Sequence, residues 1–425
     1  MRSLPFGQRV ELTDDAGVRW TGSVIPSHDF SSPRTVTLKL ETGYNVGVRV
    51  GPRSTYRLLG AAPALSLGGK NGATPPVVHH AGEVELLTTG GTIASRVDYE
   101  TGAVRPVRGE AEILEFFPEL HDAGPVRITP VLDVLSENLT PAHWLTLAER
   151  TVEAFGRGAR GIVIAHGTDT MGFTAAALSF LLTDLPGPVV LVGAQRSPDR
   201  PSSDGPSNLA AAVHVARDRR LGEVVVLMHE GLSDGRFAVH RGNRVRKMHA
   251  SRRDAFESRN GPPLGVFDGA QLTLTPEARP PSAGPARVDG PLDPRAALLT
   301  FYPGLSADRA AAFAAGLRGI VLAGTGLGHV AAEHLGWIRD AGQRETVVAM
   351  TTQCLAGAVD GYVYATGREL LAAGVVFLDD LLPETAYAKM VWALGRATSA
   401  GQVRQLLSED RAGEFVRRRT VGAAP

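Results

Sequence analysis

From residue 83 onward, apolar runs of strand length alternate with segments of helical period, and this alternation constrains the fold more than any other feature. The predicted strands are Glu83–Leu87, Arg127–Val131, Gly161–Ala165, Val189–Val192 and Glu223–Met228. The predicted helices are Glu110–Phe117, Pro141–Gly156, Phe173–Thr183 and Ser207–Arg219. Strands that alternate with helices favour an α/β fold, with a mostly parallel sheet covered by helices on both faces.

The last section repeats this architecture at smaller scale. Its predicted strands are Ala296–Tyr302, Gly319–Leu322, Thr346–Met350 and Val375–Phe377. Its predicted helices are Ala307–Ala315, Val330–Ala341, Gly367–Ala373 and Pro383–Leu394. A stretch dense in Pro, Gly and Ala, residues 276–294, separates it from the first section. We therefore predict two doubly wound parallel-sheet domains, residues 83–275 and 295–425.

The first 75 residues show a different pattern, with short strands, turn signals and no helical period. The predicted strands are Arg9–Thr13, Val18–Ile25, Thr35–Glu41, Tyr44–Val50 and Tyr56–Leu59. Strands at this spacing predict a small all-β barrel. Residues 76–82 are predicted to be a linker to the α/β part.

Composition excludes several classes of protein. Lysine plus arginine and aspartate plus glutamate number 44 each, so no net field draws the chain to nucleic acid or membrane. The single cysteine, Cys354, excludes an internal disulfide, and we expect it to be a small buried apolar residue rather than a reactive thiol. The chain shows neither a secretory signal nor an apolar run of membrane-spanning length, so we expect it in the cytoplasm.

Two loops carry the chemistry: Thr88-Thr89-Gly90-Gly91-Thr92-Ile93-Ala94 and His166-Gly167-Thr168-Asp169-Thr170. Each follows a predicted strand, and open α/β sheets hold ligands at the carboxyl ends of their strands. Threonine hydroxyls beside a carboxylate, with glycines that admit a substrate closely, suit attack on an amide. A lysine such as Lys247, in a basic loop at residues 244–249, could accept a proton if its surroundings favoured the neutral amine.

Each of these segments also has a simpler explanation. The first could be an ordinary strand-to-helix turn, the second a helix N-cap, and the basic run a solvated face. Their occurrence together, in order, on one predicted sheet favours the chemical interpretation.

With Val192-Gly193-Ala194-Gln195-Arg196 and Ser203-Asp204-Gly205-Pro206-Ser207-Asn208-Leu209, the two loops resemble the bacterial-type L-asparaginase family from residue 83 to the C-terminus. The resemblance implies Thr92 as the primary nucleophile, with Tyr99 as the nearby tyrosine, and it implies that Tyr99 and Gly91 bind substrate. It implies Thr168, Asp169 and Lys247 as a second catalytic group. It also implies that Gly167, Ser136 and Glu137 bind substrate, although free asparaginases usually have glutamine at position 137.

The N-terminal segment Leu38-Lys39-Leu40-Glu41-Thr42-Gly43-Tyr44-Asn45-Val46-Gly47-Val48 is foreign to plain asparaginases. Together with Gly324-Thr325-Gly326-Leu327-Gly328-His329 and Thr352-Gln353-Cys354-Leu355, it resembles GatD, the D-type subunit family of archaeal-type glutamyl-tRNA(Gln) amidotransferases. The resemblance implies a homodimeric amidohydrolase that takes ammonia from glutamine or asparagine. It implies that the ammonia goes to an E-type partner, GatE, in a heterotetramer. The partner would bind ATP and Mg²⁺ and contact the tRNA, and this chain would need no metal or cofactor.

Two alternatives remain from the sequence: a free-standing L-asparaginase with an extra domain, and a catalytically silent docking scaffold. Leu327 replaces a polar substrate contact of free asparaginases, and residues 356–361 are smaller and less polar than the family pattern. The glycines at 324–328 lack the spacing of a nucleotide loop. A mild arginine excess in residues 1–57 suits a solvated rim or a partner contact better than RNA.

Overall fold

The structure, a computed structural model, describes residues 8–25, 34–40, 45–61, 83–90, 95–97, 104–106, 120, 123–196, 203–233 and 235–416. The predicted helix Glu110–Phe117 and the predicted site residues Gly91, Thr92 and Tyr99 lie outside these residues. Within them, no helix has both the length and the apolar character needed to cross a membrane.

The N-terminal part is an antiparallel sheet of five strands. They are β1 Gln8–Thr13, β2 Arg19–Ile25, β3 Thr35–Leu40, β4 Asn45–Arg49 and β5 Thr55–Ala61. Their order is β4-β3-β2-β1-β5, and alternate apolar residues such as Val10, Leu12 and Leu38 form a buried core of their own. The all-β prediction is confirmed. Closure into a barrel stays a prediction, because β4 and β5 are not paired in the described residues.

The next section contains the strands and helices that carry the predicted site. Its strands are β6 Val84–Thr88, β7 Ser95–Val97, β8 Val104–Pro106, β9 Val126–Pro130, β10 Gly161–Ala165, β11 Leu182–Thr183, β12 Val189–Val192, β13 Val224–His229, β14 Phe237–Arg241, β15 Val245–Lys247, β16 Phe256–Ser258, β17 Gly265–Phe267, β18 Leu272–Leu274 and β19 Arg287–Val288. Its helices are α1 Pro141–Gly156, α2 Met171–Leu181 and α3 Gly205–Ala216, with a 3₁₀ turn at Ser136–Asn138.

Eight of these strands form one sheet in the order β18-β17-β14-β13-β12-β10-β6-β9. The five strands from β13 to β9 are parallel, as predicted, while β14, β17 and β18 extend the sheet antiparallel. Central strands such as β10 and β13 are buried along their whole length because helices cover both faces. Apolar residues of α1 and α2 pack on one face and those of α3 on the other, which confirms the doubly wound arrangement.

The structure corrects the predicted end of one helix, the predicted linker and one predicted loop. Helix α2 ends at Leu181 rather than Thr183, because residues 182–183 form strand β11 instead. Strand β11 pairs with β19, which lies inside the stretch predicted as a linker. The basic segment predicted as a loop contains a strand instead: β15 pairs antiparallel with β16 in a two-stranded hairpin. Each of these strands is only two or three residues long, too short to show a period in the sequence.

The C-terminal part has four parallel strands in the order β20-β21-β22-β23. The strands are β20 Ala296–Thr300, β21 Gly319–Gly324, β22 Val347–Thr352 and β23 Val376–Phe377. The helices are α4 Ala307–Ala314, α5 Leu335–Gln343, α6 Ala365–Ala372, α7 Pro383–Arg396 and α8 Ala400–Ser408, and a 3₁₀ turn, Ala332–His334, precedes α5. Apolar residues of α4, α5 and α6 pack on one face of this sheet, and those of α7 and α8 on the other.

Helix α7 joins the two α/β parts through a single apolar cluster. Its residues pack against α2 as well as against β21 and β22. The rings of Phe180 and Trp392 lie 5.9 Å apart, and Tyr387 meets Trp144 and Phe173 edge-on, each at 6.2 Å. Since each fully buried large apolar side chain contributes about 1.5–3 kcal/mol, this contact holds the two parts firmly together.

The expectation that Cys354 is buried is wrong. Cys354 is exposed, in the segment that follows the buried end of β22. Its backbone N–H donates to Thr352 Oγ1 at 3.0 Å, which turns the chain outward at the strand end. The thiol therefore makes no contribution to the core.

Candidate active site

Thr168 lies at the carboxyl end of β10, in the loop that leads into α2. It is 8% exposed, and Lys247 Nζ donates a hydrogen bond to its Oγ1 at 2.8 Å. The same amine contacts Asp169 Oδ1 at 2.7 Å. Of the two partners, the Lys247 side chain is 15% exposed and the Asp169 side chain 69% exposed. The structure thus brings together three of the four predicted catalytic residues.

Lys247 reaches this loop from the short hairpin. It is the last residue of β15, where it pairs with Phe256 of β16, and 79 residues separate it from Thr168. Lysine, unlike arginine, can serve both as a cation and, after losing a proton, as a base, because an arginine does not lose its proton in proteins. An amine between a hydroxyl and a carboxylate can take the hydroxyl proton, and the carboxylate then stabilises the ammonium ion that forms.

Ser136 packs against the loop that carries Thr168. It is buried in the 3₁₀ turn, and a Cβ added at Gly167 would lie 2.7 Å from Ser136 Cβ, so only glycine fits there. Thr170 Oγ1 donates to the backbone oxygen of Ser136 at 2.7 Å. Thr170 occupies the N-cap position of α2 without a side-chain capping bond, so its hydroxyl joins two loops instead. Glu137, next in the turn, is exposed.

The first predicted loop begins beside the second. The backbone N–H and the hydroxyl of Thr89 both donate to the Ala165 oxygen, at 3.1 and 3.0 Å. Gly90 has a positive φ of 89°, and a Cβ there would lie 2.9 Å from the Val134 nitrogen. The chain therefore leaves strand β6 at the same edge of the sheet as Thr168. The predicted residues Gly91, Thr92 and Tyr99 follow, outside the described residues.

The side chain of His166 packs beneath the loop that carries Thr168, in the interior of the protein. It is fully buried, its Nδ1 lies 2.6 Å from the Gly167 oxygen and its Nε2 lies 2.9 Å from Thr174 Oγ1. Burial lowers the pKa of His166 from 6.5 to about 4, so the ring is neutral at pH 7. One ring nitrogen thus contacts the loop and the other contacts α2, so the histidine joins the two. Among the residues that the structure describes, no group of three His, Cys, Asp or Glu side chains could hold a metal ion.

The sequence analysis assigned no role to the carboxylate of Asp204, which lies at the N-cap position of α3 and holds the segment after β12 that packs beside Thr168. Asp204 is completely buried and accepts from the backbone N–H groups of Gln195 and Arg196 and from Asn208 Nδ2, at 2.9–3.1 Å. Asn208 Nδ2 also donates to the Gly193 oxygen at 2.9 Å. A Cβ at Gly193 would lie 2.6 Å from Thr168 Cγ2. The signal available in the sequence was an aspartate directly before the Gly205-Pro206 start of a helix.

Comparison with known proteins matches three stretches of the chain to family models. Residues 4–59 match the GatD N-terminal domain, residues 83–279 the asparaginase N-terminal domain, and residues 295–407 the glutaminase/asparaginase C-terminal domain. The D-type glutamyl-tRNA(Gln) amidotransferase subunit of Saccharolobus islandicus is 42% identical over 433 residues, which cover 100% of this chain and 95% of the relative. The chain belongs to the GatD family. The family member from Pyrococcus furiosus is also 42% identical, over 96% of this chain and 93% of its own.

Solved structures place the α/β part of this GatD family member among the asparaginases. The thermostable L-asparaginase from Thermococcus kodakarensis superposes with a TM-score of 0.71 at 33% identity, covering 79% of this chain and 100% of that chain. L-asparaginase I from Vibrio cholerae gives a TM-score of 0.68 at 31% identity with the same coverage. The predicted asparaginase-type fold is confirmed.

Proposed function

We propose that this chain is the ammonia-generating component of a tRNA-dependent amidotransferase that converts Glu-tRNA(Gln) to Gln-tRNA(Gln). It hydrolyses the side-chain amide of free glutamine or asparagine. The observation that carries the proposal is the amine of Lys247, within 2.8 Å of Thr168 Oγ1 and 2.7 Å of Asp169 Oδ1 at the carboxyl edge of the sheet. Membership of the GatD family supports it along the whole chain.

The reaction proceeds by acyl transfer to a threonine. The hydroxyl oxygen attacks the amide carbon, its proton passes to the base, and the negative charge collects on the former carbonyl oxygen. The C–N bond then breaks, nitrogen takes the proton and leaves as ammonia, and an ester remains on the threonine. Water hydrolyses the ester to the free carboxylic acid and restores the hydroxyl.

The residues at this edge suit the transfer of that proton. Lys247, as the neutral amine, accepts the proton of Thr168, and the Asp169 carboxylate stabilises the ammonium that results. Helix α2 begins at Met171, so the positive end of its dipole faces the loop where negative charge develops. We assign Thr92 as the primary nucleophile and Tyr99 as its neighbour. Thr168, having passed its own proton to Lys247, takes the proton of Thr92 as Thr92 attacks, and the Lys247 ammonium returns a proton to the leaving nitrogen through Thr168.

The remaining predicted residues bind the substrate. Ser136 and Glu137 belong to the 3₁₀ turn that underlies Gly167, and we assign them to the amino-acid end of the substrate, with Asp169 facing its ammonium group. The carboxylate of Glu137 attracts the ammonium group of the substrate electrostatically, which a neutral glutamine would not do. We also assign Gly91 and Gly167 to substrate binding, Gly167 because its lack of a Cβ lets Ser136 approach the Thr168 loop.

The assembly that we propose is a homodimer of this chain with two copies of GatE. GatE holds ATP and Mg²⁺, activates the glutamate on the tRNA and receives the ammonia. This chain itself uses no cofactor, and the tRNA is held mainly by the partner.

The decisive experiment measures ammonia release from glutamine and from asparagine, with and without GatE and Glu-tRNA(Gln). We expect weak release by the chain alone and strong release in the complex. Efficient hydrolysis of asparagine by the chain alone, unchanged by the partner, would identify a free-standing asparaginase. Partner binding with no ammonia release from the wild type would identify a silent scaffold.

A further inference from the structure

The two neighbouring side chains at the end of β15 face different domains. Successive residues of a strand point to opposite sides, so Lys247 and Arg246 cannot share a partner. Lys247 contacts Thr168, whereas Arg246 Nε lies 3.2 Å from Glu384 Oε1 in the first turn of α7. The Arg246 and Glu384 side chains are 30% and 16% exposed. The strand that carries the amine is therefore attached on its other side to the C-terminal domain.

A second ion pair attaches the start of the same strand. Arg244 Nη2 donates to Asp380 Oδ2 at 2.6 Å, and the two side chains are 13% and 2% exposed. Asp380 precedes α7, and its Oδ1 accepts from the Val416 N–H at 3.2 Å while its backbone oxygen accepts from Asn260 Nδ2 at 2.9 Å. A buried charge pair of this kind strongly disfavours separation, because removing one partner leaves the other uncompensated.

The turn before the hairpin is held by the same domain. Thr385 Oγ1 donates to the Asn243 oxygen at 2.7 Å, and Asn243 Nδ2 donates to the Ala412 oxygen at 3.0 Å. Within its own domain, the hairpin is joined to β14 through Ser258 Oγ, 2.8 Å from His240 Nδ1. The C-terminal domain is therefore bound by three polar or charged residues that precede Lys247, at positions 243, 244 and 246. Val245, between them, is buried.

We propose that Arg246 and Arg244 are positioning residues, which hold the Lys247 hairpin on the C-terminal domain so that its amine reaches Thr168. The inference rests on the proposed function of Lys247 as a proton acceptor. It adds that the C-terminal domain, which contributes none of the four catalytic residues, sets the distance over which the proton moves. A displacement of about 1 Å at such a group can cost on the order of a hundredfold in rate.

The chain allows the position of Lys247 to be measured without any activity assay. It contains only four lysines, Lys39, Lys70, Lys247 and Lys389. Acetic anhydride at limiting concentration, followed by peptide mass spectrometry, reports the labelling rate of each amine. Lys389 is completely buried, so its labelling reports loss of the fold as a whole.

The test variant is Glu384→Gln, and Glu230→Gln is its matched control. Glu230 pairs with Arg236 at 2.6 Å in the same domain as the hairpin but does not contact it. In Glu384→Gln we expect Lys247 to be labelled roughly threefold faster or more, with Lys389 unchanged, since the hairpin opens locally. We expect kcat for ammonia release to fall about tenfold with KM little changed. Glu230→Gln should match the wild type in all of these measurements.

Exchange of the charges tests the pair itself. Arg246→Glu and Glu384→Arg should each slow the enzyme, and the double variant should be faster than either alone, because the contact is restored. The proposal would be overturned if Lys247 were labelled at the wild-type rate in both Glu384→Gln and Arg246→Gln. It would also be overturned if the labelling rate of Lys389 rose together with that of Lys247. A wild type that releases no ammonia would remove the proposed function, yet the labelling result would still show whether the hairpin is held in this way.

Discussion

The amine of Lys247 lies 2.8 Å from the hydroxyl of Thr168, although the two residues belong to different strand ends and are 79 positions apart in the chain. That contact gives the first prediction. Lys247→Met should reduce ammonia release by about 10²–10⁴-fold, the usual contribution of a positioned proton acceptor, while leaving the fold intact. Lys247→Arg should be equally inactive, because it keeps the charge but cannot become neutral. Steady-state assays beside thermal unfolding would check both, and an active arginine variant would show that charge alone is needed.

The second prediction concerns the two threonines. Thr168→Ala should lose activity about as severely as Thr92→Ala, and the double variant should lose little more, since members of one catalytic unit are not additive. Thr146→Ala serves as the control, because its hydroxyl only donates to Ala142 within α1. Rates that multiply in the double variant would show that the two hydroxyls act independently.

The third prediction tests the close contact between Gly167 and Ser136. Gly167→Ala places a Cβ 2.7 Å from Ser136 Cβ, so we expect a loss of about 1–3 kcal/mol in unfolding free energy and a raised KM. Gly336→Ala, in helix α5 with no atom within 4 Å of the new Cβ, should instead stabilise by about 0.5–1 kcal/mol. Denaturant titrations show whether each substitution lowers or raises the free energy of unfolding. Equal changes in the two variants would contradict the packing argument.

The fourth prediction concerns pH. Burial lowers the pKa of His166 and that of His240 from 6.5 to about 4. The unfolded chain therefore binds more protons than the folded chain between these values, and stability falls as the pH falls from 6.5 to 4. Each histidine accounts for about 3 kcal/mol over that interval, at about 1.4 kcal/mol for each pH unit. Unfolding of His240→Asn should show a shallower decline than the wild type between pH 7 and 5, and an unchanged slope would refute the assignment.

The fifth prediction concerns the buried ion pair of α7. Lys389 and Glu414 are both fully buried and lie 2.7 Å apart, and Lys389 Nζ also donates to the oxygens of Leu407 and Glu409. Lys389→Met should destabilise the chain by about 3–5 kcal/mol, because Glu414 is left uncompensated. Adding Glu414→Gln should recover part of that loss, which chemical unfolding would measure. A double variant less stable than Lys389→Met would contradict this explanation.

The central strands and helices were predictable from the sequence because burial on both faces requires long apolar runs. Gly161–Ala165, Val189–Val192 and Pro141–Gly156 have the predicted bounds. The antiparallel strands β14, β17 and β18 were missed; β17 and β18 have three residues each and no period. Helix α8 was missed too, although Ser399 caps it by accepting from the Gln402 N–H, a pattern visible in the sequence.

The site was predictable in its strand-end loops but not in its supports. Glycine and threonine after an apolar strand are visible in the sequence, whereas Asp204 acts through backbone groups that the sequence does not display. Lys247 was predicted from the basic segment and from the family resemblance, and the composition adds a further signal. Lysine occurs only four times among the 44 basic residues, so a lysine in an arginine-rich segment such as residues 244–253 is chemically distinctive.

The apolar cluster shared by α2 and α7 has a consequence for how the molecule can be divided. A fragment truncated after residue 275 would leave Leu178 and Phe180 facing water in place of α7. We expect such a half to aggregate rather than to fold, so the two halves are not exchangeable modules. A chimera made by exchanging segments between relatives would have to take α2 and α7 from the same parent.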